Sequence, residues 1–193
     1  VVLISAVALS LLALARGIEP IAAVAGLLVA ALAGFLLYNL RAPWRRRASV
    51  YLGDSGSMVL GFVLGWLAIA LVESPGSRIP PIVIALVLLF PAADAMAAFV
   101  RRVRAGRNPL AADRSHLHHL LLRCGLSVEA SWLVLITSHV LWVGLALLGV
   151  QRNWPEWLLF LVALVGAGVY LAASLEGRRL IRPAARRRRR TDG

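Results

Sequence analysis

The sequence predicts an all-α, polytopic membrane protein with about six transmembrane helices. Of the 193 residues, 60% are hydrophobic and the mean hydropathy is +0.80, whereas soluble domains have roughly 45–50% apolar residues. The apolar residues form six runs, most of them near the ~20 residues that cross a bilayer as a helix. The chain has one cysteine, Cys124, which excludes a disulfide framework within it.

The six apolar segments are separated by polar or Gly/Pro-containing connections. We predict them at 1–15, about 20–40, 57–72, about 79–100, about 130–150 and about 154–175. Val1 already lies inside an apolar run rather than after an initiator Met or a charged leader, so we expect the C-terminal part of a longer protein. The expected organisation is a membrane domain at 1–177 followed by a basic, disordered tail at 178–193.

The arginines predict the orientation in the membrane. The chain has 21 basic residues, all arginine, and 18 of them lie in the connections and tail on one side of the predicted bundle. By the positive-inside rule that side is cytoplasmic, and both ends of the chain lie there. The run Arg186–Arg190 is more typical of contact with anionic lipid, or of a disordered tail, than of nucleic-acid binding. We therefore expect a bilayer partner and no nucleic acid.

A glycine-rich turn precedes the third segment on the basic side. Gly53 and Gly56 allow a tight backbone and the close approach of a ligand. Ser55 or Ser57 can cap the following helix, which leaves first-turn N–H groups available to an anion. The carboxylate of Asp54 suits Mg2+, which takes oxygen ligands and shares them with phosphates. The structural alternative is a helix start at which Asp54 is favoured by the helix dipole.

A second polar cluster lies in the long connection at about 101–129. Asp113 or Ser115 can cap a short helix there, and Gly125 can end it.

Three histidines fall within this short helix. His116 and His119 share a helix face, while His118 points elsewhere. Their spacing is not that of a helical zinc site. Contacts to the phosphates of a nucleotide, made together with Arg114 and Arg123, suit these residue types better. A polar loop with incidental histidines is the structural alternative.

Three further polar residues lie in or beside the apolar segments. Asp94 is about seven residues from the cytoplasmic end of the fourth segment; an acid there is either a site residue or bonded to a neighbouring helix. His139, in the middle of the fifth segment, is expected to make an interhelical hydrogen bond. Asn39 is either a helix C-cap or a ligand contact. The tryptophans near segment ends are expected to be interfacial anchors: Trp132, Trp142, Trp154 and Trp157.

These motifs, in this order, resemble those of a known family. The motifs are Gly34-Phe-Leu-Leu-Tyr-Asn39, Val50-Tyr-Leu-Gly-Asp-Ser-Gly-Ser-Met-Val-Leu-Gly61, Pro91-Ala-Ala-Asp94 and Asp113-Arg-Ser-His-Leu-His-His-Leu-Leu-Leu-Arg123. The family is that of the polyprenyl-phosphate N-acetylhexosamine-1-phosphate transferases, glycosyltransferase family 4. The His-Leu-His-His form is similar to the branch that moves N-acetylglucosamine 1-phosphate to undecaprenyl phosphate.

The resemblance implies a reaction at the cytoplasmic face of a bacterial inner membrane. A UDP-N-acetylhexosamine would give its sugar 1-phosphate to a polyprenyl phosphate lipid and release UMP, beginning a cell-envelope glycan such as lipopolysaccharide or teichoic acid. It implies Mg2+, or Mn2+ in its place, with Asp54 as its ligand or as an acid/base, and a homodimer is compatible with it. The implied catalytic residues are Asp54, His116, His118 and His119. The implied substrate contacts are Asn39, Gly53, Ser55, Gly56, Asp94, Asp113, Arg114 and Arg123.

One departure from the family pattern affects the expected activity. The family's Asp-Asp and Asn/Asp-rich motifs on earlier loops are not in this chain, so we expect the fragment alone to be inactive. Two other function classes stay open: a transporter or channel lined by the buried polar residues, and a non-catalytic relative that keeps the fold.

Overall fold

The structure is a bundle of helices. The computed structural model describes residues 1–39, 50, 52–106, 108, 121–122 and 125–191, without the side chains of Asp54 and of residues 176–191. Within these ranges there is no strand, and the long helices are α1 (Val2–Ala15), α2 (Glu19–Asn39), α3 (Gly53–Glu73), α4 (Pro81–Arg104), α5 (Val128–Gln151) and α6 (Glu156–Thr191). All but α1 are long and apolar enough to cross a membrane. The predicted all-α, polytopic fold is confirmed.

Three helix boundaries differ from the predicted segments. Helix α3 begins at Gly53, and α4 continues to Arg104, because helices extend beyond the hydrophobic layer into the polar residues that border it. Helix α6 is continuous to Thr191, so the helix does not end at the predicted boundary between domain and tail at residue 177. The tail is helical as far as Thr191, where disorder was expected. Arginine and alanine are both good helix formers, whereas Gly177 and Pro183, which also lie in this part of α6, are poor ones. The division into domain and tail stays a prediction.

Helices α1 and α4 hold the bundle together. Helix α1 packs against α2, α3, α4 and α5, and α4 also packs against α3, α5 and α6. Their contact surfaces carry much of the buried core, including Leu9, Leu67, Leu86 and Val87. Because successive helices alternate in direction, the bundle has two ends. We call the end at Asn39, Gly53 and Arg104 the motif face, and the end with residues 16–18, 74–80 and 152–155 the opposite face.

A proline in the middle of α4 is accommodated by a hydroxyl from α1. Pro91 has no N–H, so it cannot donate to the carbonyl of Val87 one turn earlier. The Ser5 hydroxyl donates to that carbonyl, with an Oγ–O distance of 3.2 Å. In an apolar layer without water, a neighbouring hydroxyl is one of the few groups that can satisfy a freed carbonyl.

The same serine meets a buried histidine. Ser5 Oγ lies 3.0 Å from His139 Nε2, and both side chains are fully buried. A hydroxyl has one hydrogen, and Ser5 gives it to Val87, so His139 Nε2–H donates to Ser5 Oγ. The predicted interhelical hydrogen bond of His139 is confirmed, and it joins α1 to α5.

Helices α5 and α6 pack through a tryptophan lying on a glycine. A Cβ atom on Gly166 would stand 2.1 Å from the ring of Trp142, so only a glycine leaves room for the indole. The interpretation of Trp142 as an interfacial anchor is therefore wrong: it lies within α5 and packs between helices. Trp132 and Trp157, near the starts of α5 and α6, are exposed, as anchors in a membrane interface would be.

Candidate functional site

The glycine-rich turn forms the start of α3 on the motif face. Gly53 has φ +70°, a left-handed conformation that glycine adopts without steric cost. The helix is preceded by Leu52 and has no side-chain cap. The predicted capping role of Ser55 or Ser57 is therefore wrong, because the helix starts earlier and both serines lie inside it.

The other glycine of the motif makes room for a leucine. A Cβ atom on Gly56 would lie 2.9 Å from Cγ and Cδ1 of Leu52. The small size of residue 56 thus allows Leu52 to fold over the first turn of α3. Substrate contacts of Gly53, Ser55 and Gly56 stay predictions, as does metal binding by Asp54, whose backbone lies in the first turn.

The motif face also collects basic groups. Helix α2 ends at Asn39 and contacts α3, which begins at Gly53. Arg101, Arg102 and Arg104 lie in the last turn of α4, where cations interact favourably with the helix dipole. An anionic ligand at the N-terminal end of α3 would meet first-turn N–H groups, and the arginines of α4 add positive charge to the same face of the bundle.

The carboxylate of Asp94 is bonded to α6. Tyr170 Oη donates to Asp94 Oδ1 at 2.7 Å, and the Tyr170 ring packs edge-on against Phe90 with centroids 5.2 Å apart. Asp94 therefore has the structural role that the sequence left open, a hydrogen bond to a neighbouring helix. Substrate binding by Asp94 stays a prediction.

A second polar contact joins the same two helices nearer the motif face. Arg101 donates to the hydroxyl of Ser174, which is buried. Sequence reasoning missed Tyr170 and Ser174, although a signal was present: they are four residues apart and so share a face of α6. Together the two contacts fix α6 against the end of α4 from which the histidine-containing connection departs.

Loss of the tyrosine hydroxyl is expected to weaken this contact. Tyr170→Phe leaves the half-buried Asp94 carboxylate without that donor and should lower the free energy of unfolding of the full-length protein by about 1–2 kcal/mol. Asp94→Asn should cost less, because an amide oxygen still accepts the bond. Denaturation in mixed micelles would measure both. Wild-type stability for Tyr170→Phe would contradict a stabilising role.

Most of the second cluster lies outside the described residues. These are Asp113, Arg114, His116, His118, His119 and Arg123. Residues after it are described: Leu126 N–H donates to Leu121 O and Gly125 N–H to Leu122 O, with Gly125 at φ +91°. This is a helix C-terminus closed by a left-handed glycine, so the prediction that Gly125 ends a helix is confirmed.

The described residues do not by themselves form a metal site. Among them, no three His, Cys, Asp or Glu side chains are grouped so that they could hold an ion. A carboxylate at residue 54 is chemically suited to Mg2+, which commonly uses one or two carboxylates and completes its shell with water and phosphate oxygens.

Comparison with known proteins identifies the relatives of this chain. Residues 1–72, which include α1, α2 and the glycine-rich turn of α3, match the model of glycosyl transferase family 4. The predicted resemblance to this family is confirmed.

The curated relatives reported below share the same protein name. Proteins named undecaprenyl-phosphate alpha-N-acetylglucosaminyl 1-phosphate transferase match from Pasteurella multocida (29% identity over 133 residues), Haemophilus influenzae (28% over 163) and Escherichia coli K12 (29% over 170). These matches cover 69%, 84% and 86% of the chain, but 37%, 46% and 46% of the relatives. The chain thus spans less than half the length of the curated relatives it matches. No solved structure matches it.

Proposed function

We propose that this chain is part of a membrane transferase that moves N-acetylglucosamine 1-phosphate from a UDP-sugar to undecaprenyl phosphate. The similarity to the named transferases carries the proposal. A match over 86% of the chain must include its middle, where the turn at Gly53 and the histidine cluster lie. What supports the proposal is this similarity to transferases that are named for a sugar 1-phosphate and for undecaprenyl phosphate.

The proposed reaction is a phosphoryl transfer at the motif face. An oxygen of the lipid phosphate forms a bond to the sugar-linked phosphorus of the UDP-sugar. The bond from that phosphorus to the bridging oxygen breaks, and the electron pair leaves with UMP. Such a reaction is accelerated chiefly by positioning and by positive charge around the phosphates. Arg101, Arg102 and Arg104 at the end of α4 support the proposal, because they give this face its charge.

We assign metal binding to Asp54 within this proposal. When bound, Mg2+ would neutralise negative charge on the diphosphate. The contribution of the backbone is positional: Gly53, in a left-handed conformation, starts the helix so that residue 54 lies in the first turn, close to first-turn N–H groups. His116, His118 and His119, with Arg114 and Arg123, are proposed to hold the nucleotide phosphates.

The arginine distribution supports a cytoplasmic motif face. Nucleotide sugars are cytoplasmic substrates in this proposal, and the positive-inside rule places the basic face on that side. The localisation proposed is therefore a multi-pass protein of the bacterial inner membrane whose active-site loops are cytoplasmic.

The decisive experiment is an assay of UMP release by the full-length protein. Purified protein in liposomes would receive UDP-N-acetylglucosamine, with undecaprenyl phosphate and Mg2+ each present or omitted. We expect UMP release only when both are present. Folded protein that releases no UMP from this donor or from other UDP-N-acetylhexosamines would contradict the proposal and favour a non-catalytic relative.

The transporter alternative rested on buried polar residues, Asp94 and His139, and the structure gives both of them a bonding role between helices. The buried His139 hydrogen-bonds to Ser5, and Asp94 accepts a hydrogen bond from Tyr170. Both groups join helices, which is what polar residues do inside many membrane bundles. Solute flux through liposomes without UMP formation would be needed to restore that function class.

A further inference from the structure

A polar cleft lies on the opposite face, away from the motifs used above. Its volume is about 340 Å³, and three connections contribute to its lining. Arg16 comes from the end of α1, and Arg78 from the connection between α3 and α4. Asn153 and Trp154 come from the connection between α5 and α6, and Glu156 is the first residue of α6.

The charge of this cleft favours an anion. Two guanidinium groups, of Arg16 and Arg78, face one carboxylate, of Glu156, so the lining has a net positive charge. Arginine matches the geometry of phosphate oxygens and binds them through paired hydrogen bonds. Arg78 and Asn153 have φ +46° and +51°. A positive φ is uncommon for arginine and more usual for asparagine, and strained backbone of this kind is found more often near functional sites.

An apolar groove adjoins the polar cleft. It has a volume of about 430 Å³ and is lined by Leu11, Leu12 and Ala15 of α1 and by Leu147 and Val150 of α5. Arg16 and Val150 line both cavities. Leu11 lies about 7.5 Å along the helix axis from Arg16, in the direction of the bundle centre. The groove therefore leads from the helix ends into the apolar layer.

We propose that the two adjoining cavities bind one anionic phospholipid from the membrane leaflet on the side of the opposite face. Its phosphate would lie between Arg16 and Arg78, and one hydrocarbon chain would lie in the groove along α1 and α5. A phospholipid fits because the charged cleft lies at the helix ends, beside Trp154, and the apolar groove lies on its membrane side. This site is separate from the proposed reaction, since it lies at the other end of the bundle.

The charge requirement can be tested by lipid retention. The full-length protein would be purified from liposomes containing phosphatidylglycerol and phosphatidylcholine, and the bound lipid counted by native mass spectrometry. The double variant Arg16→Gln/Arg78→Gln should retain phosphatidylglycerol about tenfold less, because its phosphate loses charge-assisted hydrogen bonds. Arg152→Gln is the control for each single variant, Arg16→Gln or Arg78→Gln: it removes one positive charge from an exposed residue of the same face, outside both cavity linings.

The hydrocarbon requirement needs a second pair of variants. Leu147→Trp fills the groove and should also reduce retention, whereas Leu148→Trp, at a neighbouring exposed position, should not. Inorganic phosphate should not displace the lipid at millimolar concentration, because it lacks the chain.

Three results would overturn the proposal. The first is equal retention by the double variant and the Arg152→Gln control. The second is displacement of the lipid by inorganic phosphate with no effect of Leu147→Trp, which would indicate a site for free phosphate. The third is protection of the Leu11→Cys thiol from a membrane-soluble thiol reagent in lipid-free detergent, which would show that another segment of the full-length protein fills the groove. If Leu147→Trp does not fold, the arginine variants still decide the outcome.

Discussion

Asp54→Asn in the full-length protein is expected to reduce UMP release at least about 100-fold while the protein still inserts and folds. The substitution keeps the size of the side chain and removes its charge. If Asp54 holds a cation at the phosphates, the loss is one of electrostatic stabilisation, which commonly accounts for factors of this size. Turnover in liposomes with undecaprenyl phosphate and Mg2+ would be measured against wild type.

The matched control lies on the same helix. Glu73→Gln makes the same chemical change at the other end of α3, at an exposed residue on the opposite face. It should leave turnover unchanged. Equal losses in the two variants would indicate a general effect of charge on the helix. Near-normal turnover of Asp54→Asn, with Glu73→Gln also normal, would remove Asp54 from the proposed site.

The Mg2+ dependence of turnover gives a separate test of the role of Asp54. In wild type, turnover should rise with Mg2+ and saturate. If Asp54 is a ligand, the residual activity of Asp54→Asn should need a higher Mg2+ concentration. An unchanged Mg2+ dependence with reduced turnover would instead favour the acid/base role of Asp54.

The fold could be predicted from the sequence largely because the bilayer limits the alternatives. A run of about 20 apolar residues can only satisfy its backbone as a helix there, so hydropathy located α2, α4 and α5 closely. The start of α3 was missed because serine is a strong N-cap signal, and Ser55 and Ser57 follow a glycine whose left-handed backbone begins the helix instead. Local capping preference was overridden by the turn before it.

Contacts between helices were harder to predict than the helices. A buried histidine needs a partner, which made an interhelical bond of His139 predictable, but the sequence did not name Ser5 as that partner. Asp94 was recognised as costly in the membrane, yet its bond to Tyr170 depends on α4 lying beside α6. Neighbour relations of this kind are not encoded in periodicity, so the sequence left the role of Asp94 open.

Ser5→Ala is expected to lower the free energy of unfolding by about 1–2 kcal/mol. The hydroxyl bridges the Val87 carbonyl at 3.2 Å and His139 Nε2 at 3.0 Å, and both partners would be left without it in a dry interior. Unfolding of the full-length protein by SDS in mixed micelles would measure the effect. Ser10→Ala, on the same helix at a partly buried position, removes a hydroxyl outside this network and should cost much less.

The role of the proline can be isolated by a double-mutant cycle. Pro91→Ala restores an N–H that can donate to the Val87 carbonyl within α4, so that carbonyl would depend less on the Ser5 hydroxyl. The cost of Ser5→Ala should then fall by about 0.5–1 kcal/mol in the Pro91→Ala background, leaving the part due to His139. An equal cost of Ser5→Ala in both backgrounds would show that the hydroxyl does not compensate for the proline. A smaller cost would show that α1 supplies to α4 the hydrogen bond that Pro91 removes. The Ser5 hydroxyl would then couple α1 to α4, the helix that leads into the histidine cluster.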